Sequence, residues 1–411
     1  MADLVINGAL VDGSPVDVTC QDGVVVGIDP AGLGGDATET LDAAGCVLLT
    51  AAAEPHAHLD KVLTADRVHN PTGDLAGAIG AWRAGYGERD HADLVGRAER
   101  VLHRMVVSGI TAARTHVDCG PDIELRAVEA MLEVRDRWAA AIDLQICALV
   151  APPTIGADRA GAFARLDSAL ALGVDLVGGV PYAEADPQAA TEGLLERAAA
   201  AGVGVDFHTD ETLDPSVLSL VDLAEAAADF PHSVTASHCC SLAVQDPGRQ
   251  AEVAAMVADA GVGVVALPQT NLFLQARDEP VRPARGLTAI AALQSAGAAV
   301  CAGADNVQDP FNTMGRVDPC EIASLLVTAG HVDAGDAWPM VADAARSVLG
   351  LASAGPQVGA IADLLVLRGP SVRGAVADGS AARTVIRAGR VIARTETVTR
   401  TAAEIPMGSD I

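Results

Sequence analysis

The chain has 411 residues, half of them hydrophobic, and its 54 acidic residues outnumber its 27 lysines and arginines, for a formal charge of −27. That length can bury one large core or two to three smaller ones. Without a basic tract, so acidic a chain repels phosphate backbones and anionic lipid, which argues against nucleic-acid and membrane-surface roles. No apolar run is long enough for a transmembrane helix. The start, MADLVINGALVDG, lacks the basic-then-apolar pattern of a signal peptide. Eight cysteines with no CxxC spacing read as reduced thiols of a cytoplasmic protein.

Residues 1–44 hold short strands broken by Gly and Asp turn signals. From residue 45 to about 350, apolar runs alternate with longer Ala/Leu-rich stretches of helical period. The runs are CVLLTAAAEPHAH (46–58), ITAARTHVD (110–118), IDLQICALV (142–150), DLVGGVPY (175–182), VGVDFHTD (203–210), SVTASHCC (233–240), GVGVVALP (261–268) and AVCAGAD (299–305). Gly109, Gly173, Gly202 and Gly261 stand where a helix would stop. Eight strand–helix repeats predict an α/β fold, a closed (β/α)₈ TIM-type barrel. An open doubly wound sheet is the second reading, weakened because no GxGxxG follows the first strand. Residues 358–395 return to short strands. Neither chain end can bury a core alone, so the two are expected to pair. The predicted division is a small β-sandwich-like domain from 1–52 plus 355–411, beside a barrel over 53–354.

In such barrels the chemistry sits at the C-terminal ends of the strands. Those ends carry His56 and His58, then His116 and Asp118, then His208, Asp210 and Glu211, then His238, then Asp305 and Asn306. Residues i and i+2 of a strand share a face, so His56 and His58 project together. Three imidazoles and a carboxylate (His56, His58, His208 and Asp305) would hold a divalent ion and leave one position open for water. His238 reads as a base beside that ion rather than as a ligand. His116 is evenly balanced between a functional and a structural role.

The motifs EPHAHLDK, RTHVD, HTDE, ASH and AGADNVQDPF, in this order and followed by ADLLVL near the C-terminus, resemble the amidohydrolase superfamily, and within it the cytosine deaminase branch. The resemblance implies a (β/α)₈ barrel with a small β-domain built from both termini. It implies metal ligation by His56, His58, His208 and Asp305, a proton-shuttling Glu211, and a His238 that helps to activate water. Binuclear relatives bridge two metals with a strand-4 lysine. Here strand 4, DLVGGVPYAEADP, has none, and the single lysine of the chain, Lys61, lies too near strand 1. One divalent ion per chain, Zn²⁺ or Fe²⁺, is therefore expected. Lys61 itself is expected at the surface or the mouth.

The implied reaction is deamination of an amino-substituted nitrogen heterocycle, with Asp305 and His238 accepting the water proton and Glu211 delivering a proton to the ring and then to the leaving amine. Cytosine itself is disfavoured. The stretch after strand 3, CALVAPPTIG, lacks the glutamine that reads the pyrimidine edge, Asn306 replaces an acid, and Phe311 stands where the branch carries an indole. Losing hydrogen-bonding groups changes which ring is accepted. Asn306, Phe311, His116, and Gln269, Asn271 and Gln275 from LPQTNLFLQAR are the expected substrate contacts. Cyclic-amide hydrolysis, release of an alkylamine, and silent ligand binding are the alternatives. The partner is a small heterocycle, and a homo-oligomer is expected.

Overall fold

The computed structural model describes residues 2–85 and 89–401, so the last ten residues of the expected 355–411 segment lie outside the described residues. The N-terminal strands are β1 (Ala2–Val11), β2 (Ser14–Gln21), β3 (Val24–Pro30), β4 (Ala37–Asp42) and β5 (Cys46–Thr50). Eight further strands follow, each a short buried run: β6 (Ala52–Ala57), β7 (Ile110–Asp118), β8 (Asp143–Val150), β9 (Leu176–Gly179), β10 (Gly204–Thr209), β11 (Val234–His238), β12 (Gly263–Ala266) and β13 (Val300–Ala302). The chain ends with β14 (Leu364–Arg368), β15 (Arg383–Arg387) and β16 (Arg390–Thr395).

Strands β6 to β13 pair in sequence order, all parallel, as right-handed strand–helix repeats require. The ring closes where Ala57 bridges Asp305 and the Asp305 N–H donates to the His56 carbonyl at 3.1 Å. Glu54 locks this seam, accepting from the Ala304 N–H at 2.9 Å. A Cβ on Gly303 would stand 2.2 Å from the Glu54 carboxylate, so only glycine fits there. The helix His91–Ser108 shows how the repeats are punctuated. Asp90 caps its N-terminus, and Gly109 ends it with φ +101°, a left-handed turn that glycine adopts without a Cβ penalty.

The run 46–58, read as one strand, is two strands in two sheets. β5 pairs with β14, while β6 starts the barrel after a break at Ala51. The terminal strands also differ from a sandwich of separate sheets. They form one eight-stranded sheet, ordered β16-β15-β14-β5-β1-β2-β3, with β4 branching from β1. A register shift in β1 between Ile6 and Ala9, at Gly8 with φ +67°, lets its first half pair with β4 and its end with β5. The sheet so folded encloses its own core of Leu4, Ile6, Val18, Leu48, Leu364 and Ile386.

Candidate metal-dependent active site

Inside the barrel, below the strand ends, lies a buried polar chain. Arg114 on β7 donates to Asp206 on β10 at 2.8 Å. The Ser237 hydroxyl on β11 donates to the other Asp206 oxygen at 2.8 Å, and meets His56 Nδ1 at 2.8 Å. With its own proton given to Asp206, Ser237 accepts from His56 Nδ1–H. That fixes the tautomer and leaves the His56 Nε2 lone pair free. His116 packs in the same layer, its ring centroid 4.0 Å from that of His56 and its Nε2 3.5 Å from Asp206.

Candidate ligand atoms gather above this layer: those of His56, His58 and Asp305 lie within 4.8 Å of one another, and His208 joins them beside His58. His58 Nε2 is 3.2 Å from His208 Nε2 and 3.4 Å from Asp305 Oδ1, and His56 Nε2 is 3.7 Å from the same oxygen. An ion bound tetrahedrally at about 2.1 Å spaces its ligands ~3.4 Å apart. His56 Nε2 and both Asp305 oxygens are buried with no hydrogen-bond partner. Burial, with neighbouring histidines, pushes the His56 and His208 imidazoles well below their usual range; for His58, burial acts with Lys61 and those histidines. They therefore stand neutral, as ligands must. Burial, together with Glu211, Asp309 and Glu54, pushes the Asp305 carboxyl well up. Orphaned lone pairs and an uncompensated acid are what a divalent cation would satisfy, and the residues fit one. His116 also lies within ligand distance of His56 and His208. Its two ring nitrogens are buried without a hydrogen-bond partner, with Nε2 3.5 Å from Asp206.

His238 Nε2 stands 4.0 Å from Asp305 Oδ2. Its Nδ1 is 3.0 Å from Asn271 Oδ1, and the Asn271 amide N–H donates to Cys240 Sγ at 3.1 Å. With the amide so oriented, His238 donates from Nδ1 and keeps its Nε2 lone pair toward Asp305. Burial lowers the His238 imidazole to about 4 against the pull of Asn271, and raises the Glu211 carboxyl to about 8. Glu211 Oε1 is 3.6 Å from His238 Nδ1. His238 and Asp305 have φ of +74° and +68°. Left-handed backbone at non-glycine residues costs roughly 1–3 kcal/mol each and clusters at functional sites.

A cavity of about 320 Å³ opens over these groups, lined by His58, His208, Glu211, His238, Asp305 and Asn306 among others. Leu149, Ala151 and Pro152 form its wall after β8, and Trp82, Tyr182 and Phe311 bring aromatic surface. Of the six expected substrate contacts, Asn306 and Phe311 line it. Gln269, Asn271, Gln275 and His116 are not among its described lining residues. The reason is the helix Pro268–Leu274, which turns Asn271 behind His238. Gln269 accepts from the Arg316 N–H at 3.0 Å, and Gln275 donates to the Glu211 carbonyl at 3.3 Å. Of the two places expected for Lys61, the structure excludes the surface and gives the mouth. Lys61 is 4% exposed and lines the cavity from within, paired with Asp118 at 2.9 Å and Asp60 at 3.2 Å. Burial disfavours its charge, but Asp118 and Asp60 outweigh it and hold the ammonium above its usual value. Trp82 donates from Nε1 to the other Asp118 oxygen at 2.8 Å. Asp118 could be read from its strand end, whereas Trp82 comes from a helix, Leu75–Ala84, with no local sign of facing the site.

A model of the amidohydrolase family matches residues 63–393. A pterin deaminase of Rhizobium rhizogenes is 34% identical over 388 residues, 92% of this chain and 88% of that protein. An N-isopropylammelide isopropyl amidohydrolase of a Pseudomonas species is 26% identical, over 96% and 98% of the two chains. The crystal structure of a 5-methylcytosine deaminase from Klebsiella pneumoniae, with bound 5-fluorocytosine, superposes with a TM-score of 0.87 at 28% identity, covering 98% of this chain and 99% of that one.

Proposed function

The chain belongs to the amidohydrolase family, and on that premise we propose that it is a metal-dependent hydrolase of C–N bonds that deaminates an amino-substituted nitrogen heterocycle of the pteridine class. The observation that carries this reading is Glu211, a buried carboxyl on the cavity wall, 3.6 Å from His238 and pushed up to about 8 by burial. A carboxyl that keeps its proton near neutrality can give it to a ring nitrogen. His56, His58, His208 and Asp305 would hold one divalent ion, Zn²⁺ or Fe²⁺. When bound, such an ion supplies a water acidified to near-neutral pKa.

The residues then divide the proton work. His238 accepts at Nε2, in the tautomer set by Asn271. Asp305 offers its second oxygen on the same side. Glu211 protonates the ring nitrogen and afterwards the departing amine. The ring C–NH₂ bond breaks, a C=O replaces it, and water and the amino-heterocycle become ammonia and the oxo-heterocycle. Phe311 and the part of the Trp82 indole not covered by the Arg89 guanidinium, which stacks 3.4 Å from its centroid, offer flat apolar surface to a planar ring, and the wall of Leu149, Ala151 and Pro152 has no side-chain group to read a pyrimidine edge. That wall supports a ring other than cytosine. Eight free cysteines, seven of them buried, support a reducing compartment such as the cytoplasm.

The experiment is a panel of amino-heterocycles, cyclic ureides and N-alkylated rings incubated with the metal-loaded enzyme, with the released amine identified. Ammonia from a 2-aminopteridine is expected. Cytosine is expected to turn over with kcat/KM well under about 10⁵ M⁻¹s⁻¹. Release of an alkylamine alone, or ring opening without ammonia, would replace the deaminase reading.

A further inference from the structure

Lys61 is the only lysine of the chain, and among the buried lining residues it brings the only lysine or arginine charge to the cavity. Its ammonium has three N–H donors. Asp118 Oδ1 at 2.9 Å takes one, Asp60 takes a second with its two oxygens at 3.2 and 3.4 Å, and His58 Nδ1 lies 3.4 Å away in the direction of a third. That third contact is not available in the working enzyme. An imidazole that ligates an ion through Nε2 carries its single proton on Nδ1, so His58 Nδ1 becomes a donor and cannot accept from an ammonium. The third Lys61 donor is left without an acceptor there, beside the ligand atoms and on the cavity wall.

Across the cavity Leu149, Ala151 and Pro152 are apolar, and the other cationic or hydroxyl donors of the lining are Arg83, which is exposed, and Tyr182, which is half-buried, so Lys61 is the buried one of the two cations. Asn306 gives an amide N–H to Asp309 at 2.9 Å, and Trp82 gives its indole N–H to Asp118. Asp118, held from both sides, fixes where the Lys61 head stands. Trp82 carries the Arg89 guanidinium on its ring, 3.4 Å from the centroid, and Lys61 Nζ stands 5.6 Å from the same centroid, so only the ring surface beyond these is offered to a ligand. A flat ring lying against that indole would bring its edge to the ammonium.

We propose that Lys61 is a specificity-determining residue that donates to a carbonyl oxygen on the edge of the substrate ring, so that the enzyme selects amino-heterocycles bearing a lactam over those that lack one. The proposal rests on the deaminase reading of the site and deepens it. A lactam oxygen is the strongest neutral acceptor such a ring offers, and an ammonium is the donor best matched to it. A site built around a charged donor leaves that donor unpaired when the acceptor is missing, which is why such sites discriminate well.

The test compares 2-amino-4-oxopteridine with 2-aminopteridine in the metal-loaded wild type, Lys61→Met and Lys61→Arg. Metal content and melting are recorded for each protein, and affinity is measured by direct titration of 4-oxopteridine and 4-methylpteridine, which have no amino group to lose, as well as by kcat/KM. The wild type is expected to favour the oxo ring by about 10- to 100-fold in both readouts. In Lys61→Met that ratio is expected to fall toward one, chiefly through KM and Kd, with the metal retained. Lys61→Arg keeps both carboxylates paired but moves the charge, and a ratio intermediate between the two is expected. Equal treatment of the two rings by the wild type would overturn the proposal. So would an unchanged ratio in Lys61→Arg, or a Lys61→Met that weakens both rings alike, since a purely structural ion pair has those signatures. If the wild type releases ammonia from no amino-heterocycle, the function reading fails and the proposal fails with it; if it releases ammonia without discriminating, only the proposal fails.

Discussion

Two buried carboxylates, one in each sheet, are treated in opposite ways. Asp17, in the terminal sheet, accepts backbone N–H groups from Gly8 at 2.9 Å and from Gly32 and Gly34 at 2.8 Å each. The Gly34 N–H leads a set of donors that, against burial, holds its carboxyl below the usual value. Asp305, at the barrel mouth, has no donor on either oxygen, and burial pushes its carboxyl well up. The first acid is complete within the protein and can only support the fold. The second is kept incomplete, on left-handed backbone, and its missing partner must come from outside. An acid that the fold leaves unsatisfied marks function more reliably than burial alone, since both are buried.

The sharpest break of this comparison is Asp305→Ala. It should remove bound metal and activity together, read by metal analysis and turnover, while His56→Ala does the same because each deletes a ligand. Wild-type protein should carry about one divalent ion per chain. Two tightly held ions would show that His116, which lies within ligand distance of His56 and His208, belongs to a second site.

The next effect separates proton transfer from metal binding. Glu211→Gln keeps the shape of the side chain but cannot carry a proton. Metal content and melting should match the wild type while kcat falls by about 10²–10⁴-fold. Turnover near the wild-type rate would put the shuttle elsewhere and bring the cyclic-amide reading forward.

Asn271→Leu should have a smaller effect of a different kind. It removes the acceptor that orients His238, so the imidazole is free to present either nitrogen. A drop in kcat of about 5-fold with KM little changed is expected from losing one neutral hydrogen bond of about 1 kcal/mol. A change in KM alone would return Asn271 to the substrate-contact role expected from the sequence.

What the sequence reveals follows the range of the physics involved. β7 matches its apolar run, Ile110–Asp118, because Gly109 stops the helix before it and every residue of it is buried. That His56, His58, His208 and Asp305 come close together is legible because strand ends in a parallel barrel point to one mouth whatever the loops do. The burial of Lys61 at the mouth is not legible because a lone charge is usually solvated, and its partner Asp118 lies 57 residues away on a strand. Asn271 is misread because polarity in LPQTNLFLQAR does not say which way the helix Pro268–Leu274 turns its side chains. The break at Ala51 is invisible because two buried strands in succession look like one long apolar run.

The smallest effect belongs to the satisfied acid. Asp17→Asn leaves one side-chain oxygen to accept while adding an N–H₂ that faces backbone donors, so melting should fall by an amount corresponding to about 1–3 kcal/mol. Metal content and kcat/KM should not change, because Asp17 lies in the other sheet. The sign of the pH dependence follows from its depressed carboxyl. A group whose folded value lies below its unfolded value of about 3.9 stabilises the fold above that pH and loses the contribution as pH falls through the folded value. The wild type's advantage over Asp17→Asn should therefore be full near neutrality and shrink on acidification below about pH 4. Thermal unfolding of the two proteins at matched pH values reads this directly. An advantage that grows on acidification would mean that the glycine N–H groups do not hold Asp17 ionised, and the contrast with Asp305 would lose its lower limb.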